Sequence, residues 1–225
     1  MAGDSHTENS QLRGIIVDYG EVLCLKPGDG DLARMADIFG ISPALFATRY
    51  DKNRRAYDRG DLTPDEYWRS FVDGQTKPLN PQQISTLRTW DVEMWSHTNP
   101  VMIGWLEAMP RAGLATALLS NMHIDMVAKV RREFSWVQSL KFAAFSHELR
   151  LAKPEAEIYE YCLQGLGTRA EETLFIDDRE VNIQAAQGLG IRTIRFESVA
   201  QLHTELRTMG FPVLPILRSE SRARQ

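Results

Sequence analysis

Polar residues stand where apolar runs end. Asp18 closes Ile15-Ile16-Val17 in "GIIVDYGEVL", Ser120 and Asn121 close "ATALLSN", and Asp177-Asp178 close "ETLFIDD". Lys153 precedes Pro154 in the loop after a weaker run, "KFAAF". Taken singly, each has an ordinary reading as a turn residue, a helix cap or a solvated charge. Taken together they form a chemical set. Carboxylates crowded at one place repel, so a cation belongs among them. Hard oxygen ligands favour Mg²⁺, which keeps several waters and often shares a substrate phosphate. Ser120, Asn121 and Lys153 are donors suited to non-bridging phosphoryl oxygens. An aspartate held on a rigid apolar strand can act as a nucleophile as well as a ligand. Phosphoryl transfer depends mostly on positioning and charge neutralisation, which this set supplies.

For these residues to meet, the runs they close must lie side by side. Leu12 to Val17, Ala115 to Ser120, Lys141 to Phe145, Glu172 to Asp177 and Ile191 to Phe196 are short and apolar, as buried parallel strands are. Helical patterns separate the later ones: Pro100 to Met109, Ile124 to Phe134, Glu155 to Gln164 and Val181 to Gly188. That alternation predicts an α/β fold with a doubly wound parallel sheet. In such sheets ligands bind beyond the carboxyl ends of the strands, where all the polar residues above fall.

Between Asp31 and about His97 there is no good strand. Four helical stretches are expected instead. The first carries Leu32, Met35 and Phe39. The second carries Phe46, Tyr50, Asn53 and Tyr57, with Pro43 in its first turn. The third begins at "TPDE", where Thr63 and Glu66 can form a capping box. The fourth follows "NPQQ" and carries Ile84, Leu87, Trp90 and Met94. The expected organisation is a core over residues 11–25 and 98–215 with a small all-helical cap, 26–97, inserted after the first strand. Residues 1–10 and 217–225 read as frayed tails.

The 225 residues are 43% hydrophobic, enough for one core plus a modest insertion. A net charge of −4 argues against nucleic acid. Cys24 and Cys162 are too few for a disulfide framework, and a reducing cytoplasm is the simplest home. The opening "MAGDSHTENS" lacks the pattern of a signal peptide, and no apolar run is long enough to span a membrane. The expected partner is a small phosphorylated metabolite. No pattern speaks to the oligomeric state.

With "IIVDYGEVL", "ALLSN", "LAKPEAEIY" and "LFIDDREVNIQAA" in this order, the chain resembles the haloacid dehalogenase-like hydrolase superfamily. The resemblance covers nearly the whole chain. The most similar branch holds glucose-1-phosphate phosphatase-like proteins and the amino-terminal phosphatase domain of soluble epoxide hydrolases. It implies an Mg²⁺-dependent phosphatase, with sugar phosphates favoured, working through an aspartyl-phosphate on Asp18. Asp18 and Asp178 would ligate the metal by side chain and Gly20 by its carbonyl. Asp177 would hold a metal-bound water or support the site from behind. Ser120 and Asn121 would hold the phosphoryl group, and Lys153 would pair with it and with Asp18. Asn182 would order the turn around Asp177 and Asp178.

Gly20 departs from the pattern, because most phosphatases of the family carry a second aspartate there as general acid/base. Such help is worth about 10²–10⁴-fold. A leaving group that needs little protonation, such as an anomeric hydroxyl, would suffer least. Glu21, His123 or a cap residue could activate water, although His123 reads as a solvent-exposed residue near a helix start. Arg54 and Arg55 read as a solvated basic face above packed tyrosines, with phosphate contact as the alternative. Trp68, Trp90, Trp95 and Trp105 read as packing residues. Two other functions stay open: a low-turnover binding or regulatory module that has lost the second acid, and a 2-haloacid dehalogenase. The latter also uses an aspartate nucleophile but needs no metal.

Overall fold

The computed structural model describes residues 11–74, 76 and 78–211. The tails expected at 1–10 and 217–225 lie outside these residues.

The strands are β1 (Gly14–Val17), β2 (Ala115–Ser120), β3 (Phe142–Phe145), β4 (Thr173–Asp177) and β5 (Arg192–Arg195). They form one all-parallel sheet in the order β3-β2-β1-β4-β5. The expected α/β doubly wound architecture is the one observed. Some expected strands are trimmed at their ends; β1 begins at Gly14 rather than Leu12.

The central strands β1, β2 and β4 are buried on both faces, so their residues alternate between two cores rather than between core and water, whereas the edge strands β3 and β5 are partly exposed. Ile15 and Val17 pack with Leu118, Leu174 and Ile176 in one cluster. Ile16 packs with Ala117, Leu119 and Phe175 in the other. Helices α6 (Pro100–Ala108), α7 (Ile124–Glu133) and α11 (Val199–Thr208) supply residues to the first cluster. Helices α9 (Ala156–Leu166) and α10 (Glu180–Gly188) supply the second. Helix α11 and the single turn α8 (Ser146–Leu149) were not anticipated from the sequence.

The insertion between β1 and β2 holds α1 (Asp29–Phe39), α2 (Pro43–Lys52), α3 (Arg54–Arg59), α4 (Pro64–Arg69) and α5 (Pro81–Met94). These helices bury their own cluster, rich in Phe46, Tyr57, Tyr67, Trp68 and Phe71. The box at Thr63 and Glu66 forms, and Asn80 with Gln83 makes a second. The expected second helix is in fact two. Asn53 leaves helical geometry (φ −115°, ψ 9°), which ends α2 and starts α3. That break lets Tyr57 face His123 while Tyr50 faces Asp91. Of the tryptophans, Trp68 and Trp105 are buried in packing as expected.

Candidate active site

Beta-strand geometry delivers the acids. Val17 pairs with Leu118 on one side and Ile176 on the other, so Asp18, Ser120 and Asp177 emerge at the carboxyl ends of three adjacent strands. The chain winds outward from β1 through β2 to β3, then returns to lay β4 on the other side of β1. This reversal is the topological switch point where open sheets bind ligands. A cavity of about 530 Å³ opens there, between the sheet rim and the cap helices.

Asp18 is nearly buried, and its Oδ1 accepts from the Tyr19 N–H at 2.7 Å and from Lys153 Nζ at 2.7 Å. Its Oδ2 has no protein donor among the described residues. Burial pushes the Asp18 carboxyl up to about 7, against the pull of Lys153, with Asp177 and Asp178 adding to the rise. Asp178, half-buried, is pushed up to about 6 by burial and then by Asp177. It lines the cavity beside Asp18.

Asp177 is different. It is fully buried and engaged on both oxygens. Oδ1 accepts from Asn182 Nδ2 (2.9 Å) and the Arg179 N–H (2.9 Å), and Oδ2 accepts from Lys153 Nζ (2.7 Å) and Asn182 Nδ2 (3.1 Å). Lys153 is thus held between two carboxylates, which keep it charged against a burial that opposes charge.

The donors divide in a way the sequence did not reveal. The Ser120 hydroxyl makes one long contact, 3.5 Å to the Asn121 carbonyl, and is otherwise free. The Asn121 side chain is not a free donor. Its Nδ2 donates to the Lys153 carbonyl (2.9 Å), and its Oδ1 accepts from the Lys153 N–H (2.9 Å). This two-point clasp fixes the lysine's backbone. Asn121 therefore fixes the Lys153 backbone through its side-chain amide, which is not open to the cavity as a free donor.

The metal reading passes a test of donor chemistry. Carboxylate oxygens of Asp18, Asp177 and Asp178 lie within 4.8 Å of one another, against one lysine. Asp18 and Asp178 have oxygens without protein donors, so a hard divalent cation fits the set. A Cβ built on Gly20 would meet only Asp18 Oδ2, at 3.9 Å, so the cradle has room at that position. Glu21, with φ +52°, also lines the cavity.

Two expectations about the cap side need correcting. His123 is not solvent-exposed. It is buried, stacked on Tyr57 at 4.8 Å, with Nε2 3.3 Å from Asp91 Oδ2 but without hydrogen-bond geometry. Burial holds its imidazole down at about 4. Arg54 is not on a solvated face. Its Nε donates to Asp58, and its Nη1 donates to both oxygens of Asp91 (3.0 Å each) and to the Tyr50 hydroxyl. Against burial, Arg54 keeps the Asp91 carboxyl below its usual range. Arg55 does remain exposed, but it pairs with Glu155 at 2.7 Å. The sequence reading missed Tyr19, whose hydroxyl donates to the Trp95 carbonyl at 2.6 Å and ties the loop after β1 to the cap. It also missed Asp58, although the spacing of Arg54 and Asp58 along a helix was a usable signal.

A family model for haloacid dehalogenase-like hydrolases matches residues 33–190. (S)-2-haloacid dehalogenase 1 of a Pseudomonas species is 27% identical over 44% of this chain and 44% of its own length. Acyl-CoA dehydrogenase family member 10 of Mus musculus is 30% identical over 93% of this chain, which spans only 20% of that protein. D-ribitol-5-phosphate phosphatase of Bacteroides thetaiotaomicron is 25% identical over 87% of this chain and 97% of its own. Among solved structures, a family enzyme from Bacteroides thetaiotaomicron, in complex with magnesium and inorganic phosphate, has a TM-score of 0.67 at 23% identity. That match covers 85% of this chain and 98% of the other.

Proposed function

The chain belongs to the haloacid dehalogenase-like hydrolases, and we propose that it is an Mg²⁺-dependent phosphatase of a small phosphorylated metabolite, a sugar phosphate in preference. The observation that carries the reading is the convergence of free acceptors on Asp18 and Asp178 with a locked, charged Lys153 at one cavity. A haloacid dehalogenase needs no such acid cluster. The phosphatase relative of similar length, and the magnesium and phosphate bound by the structural neighbour, point the same way.

In this reading Asp18 Oδ2, the oxygen free of protein donors, attacks phosphorus, the ester P–O bond breaks and the alcohol leaves with a proton taken from solvent. Water then attacks the phosphorus of the aspartyl-phosphate, breaking its bond to Oδ2, releasing inorganic phosphate and restoring Asp18. Lys153 Nζ holds Oδ1 and neutralises charge gathering on the phosphoryl oxygens. The Ser120 hydroxyl and the main-chain N–H groups after it donate to those oxygens. Asp177 and Asn121 act through Lys153, one on its ammonium and one on its backbone. Asp18, Asp178 and the Gly20 carbonyl would hold Mg²⁺, which supplies charge neutralisation in a low-dielectric site.

Asp18→Asn tests this. It should abolish Mg²⁺-dependent release of phosphate from an aryl phosphate, a loss of at least about 10³-fold. Turnover equal to wild type would end the proposal. A second reading, a low-turnover binding module, is favoured by Gly20 and falls if the wild type turns over briskly. Halide release from chloroacetate without metal would instead support a dehalogenase.

A further inference from the structure

The cavity has a core end, where the phosphoryl-handling groups stand, and a cap end. At the cap end Asp58 of α3 lines the wall, with its side chain only 10% exposed. Among the described residues its carboxylate has one side-chain donor, Arg54 Nε, at 3.0 and 3.1 Å from the two oxygens. A carboxylate offers about four acceptor positions. Most of that capacity is unused, although buried polar groups ordinarily find partners. The Asp58 carbonyl accepts from Ser146 Oγ at 2.5 Å, which ties this turn of α3 to the core, and Arg54 holds the carboxylate in place.

The charge count agrees. Arg54 serves both Asp58 and Asp91, so one guanidinium faces two carboxylates. His123, beside Asp91, is kept neutral by burial. Arg179, on the core side of the cavity, attracts Asp58 but donates no side-chain hydrogen bond to it. Of the other charged cap residues lining the cavity, Arg55 is paired with Glu155 and Asp51 adds a further negative charge, so the cap wall presents free acceptors and residual negative charge. It disfavours a second anionic group on the substrate. An apolar tail would also fit poorly, because burying it there strips water from the carboxylate's remaining acceptor positions and leaves Arg54 as their one donor. Hydroxyl donors satisfy it, and about 530 Å³ leaves room for a small sugar or alditol.

We propose that Asp58 accepts hydrogen bonds from hydroxyls of the leaving group, so that the substrate is the phosphate ester of a polyol or sugar. This deepens the phosphatase reading and rests on it. The test compares kcat/KM for a hexose phosphate and for butyl phosphate in the wild type, Asp58→Asn and Asp58→Ala, with melting curves to verify folding. The wild type should prefer the hexose phosphate, and Asp58→Asn should reduce that ratio about ten- to a hundred-fold. An unchanged ratio, or an equal fall for both esters, overturns the assignment. A binding arm separates this from failure of the phosphatase reading. With Asp18→Asn and Mg²⁺, calorimetry should show the hexose phosphate bound more tightly than inorganic phosphate, and adding Asp58→Asn should erase the difference. If wild type hydrolyses no phosphate ester, the phosphatase reading falls. The binding difference then decides on Asp58 alone: its loss supports the assignment and its persistence overturns it.

Discussion

Lys153 Nζ stands 2.7 Å from Asp18 Oδ1 and 2.7 Å from Asp177 Oδ2, and both contacts are buried. Such an ion triad is held together by mutual need, because removing one member leaves a buried charge unpaired. It explains why Asp177, unlike Asp178, has no free oxygen. The strand-end acids were legible in the sequence because a polar residue closing an apolar run is visible from order alone. The clasp between Asn121 and the Lys153 backbone was not, since it joins residues 32 positions apart. In the proposed phosphatase, Gly20 is the position that lacks a general acid/base. A Cβ there would meet nothing nearer than Asp18 Oδ2 at 3.9 Å, so a side chain can start from this position without displacing backbone. Gly20→Asp should raise phosphate release by about ten-fold or more, most for esters with poor leaving groups. Steady-state assays on aryl and alkyl phosphates check this, and no gain for either would mean that another group already serves the proton.

At the scale of elements, the fit between α9 and β3 shows how the sheet is kept rigid under its rim. A Cβ on Gly165 would lie 2.4 Å from the Phe142 ring, which packs on Tyr161 with centroids 5.5 Å apart. Glycine mid-helix lowers helix propensity by about 1 kcal/mol, yet here it allows close approach. Gly165→Ala should therefore destabilise the fold by about 1–3 kcal/mol despite the better propensity, and urea unfolding reads this out. A stability gain would show that the ring simply moves aside. Elements announced by local chemistry were legible: the box at Thr63, the prolines opening helices, the apolar strands. The break at Asn53 carries no proline or glycine and follows from tertiary contacts of Tyr50 and Tyr57. His123 was misread for the same reason, because the cap that buries it is folded from residues far away in sequence.

At the scale of the whole molecule, the cap is clasped to the core on two flanks. Glu155 Oε1 accepts from Arg55 Nη2 (2.7 Å) and Arg59 Nη1 (2.6 Å), and Arg59 Nε donates to the Arg150 carbonyl (2.8 Å). Elsewhere Arg88 makes a two-point pair with Asp125 at 2.8 and 2.7 Å. These groups are partly exposed, and such pairs are worth about 0–1 kcal/mol each. The aromatic cluster of the cap and the sheet clusters of the core are larger and do not depend on them. Breaking the clasps should therefore loosen the docking of two bodies that each stay folded. The double variant Glu155→Gln, Asp125→Asn should melt within a few degrees of wild type. Hydrogen exchange over α3 and α8, which meet at this interface, should nevertheless speed up at low salt, while β1 and β4 stay protected. In the wild type the same speeding should appear as ionic strength approaches about 0.5 M, where exposed ion pairs are screened. If exchange in α3 is insensitive both to the substitutions and to salt, the buried bond from Ser146 to the Asp58 carbonyl and the stack of Tyr57 on His123 hold the cap closed without the clasps.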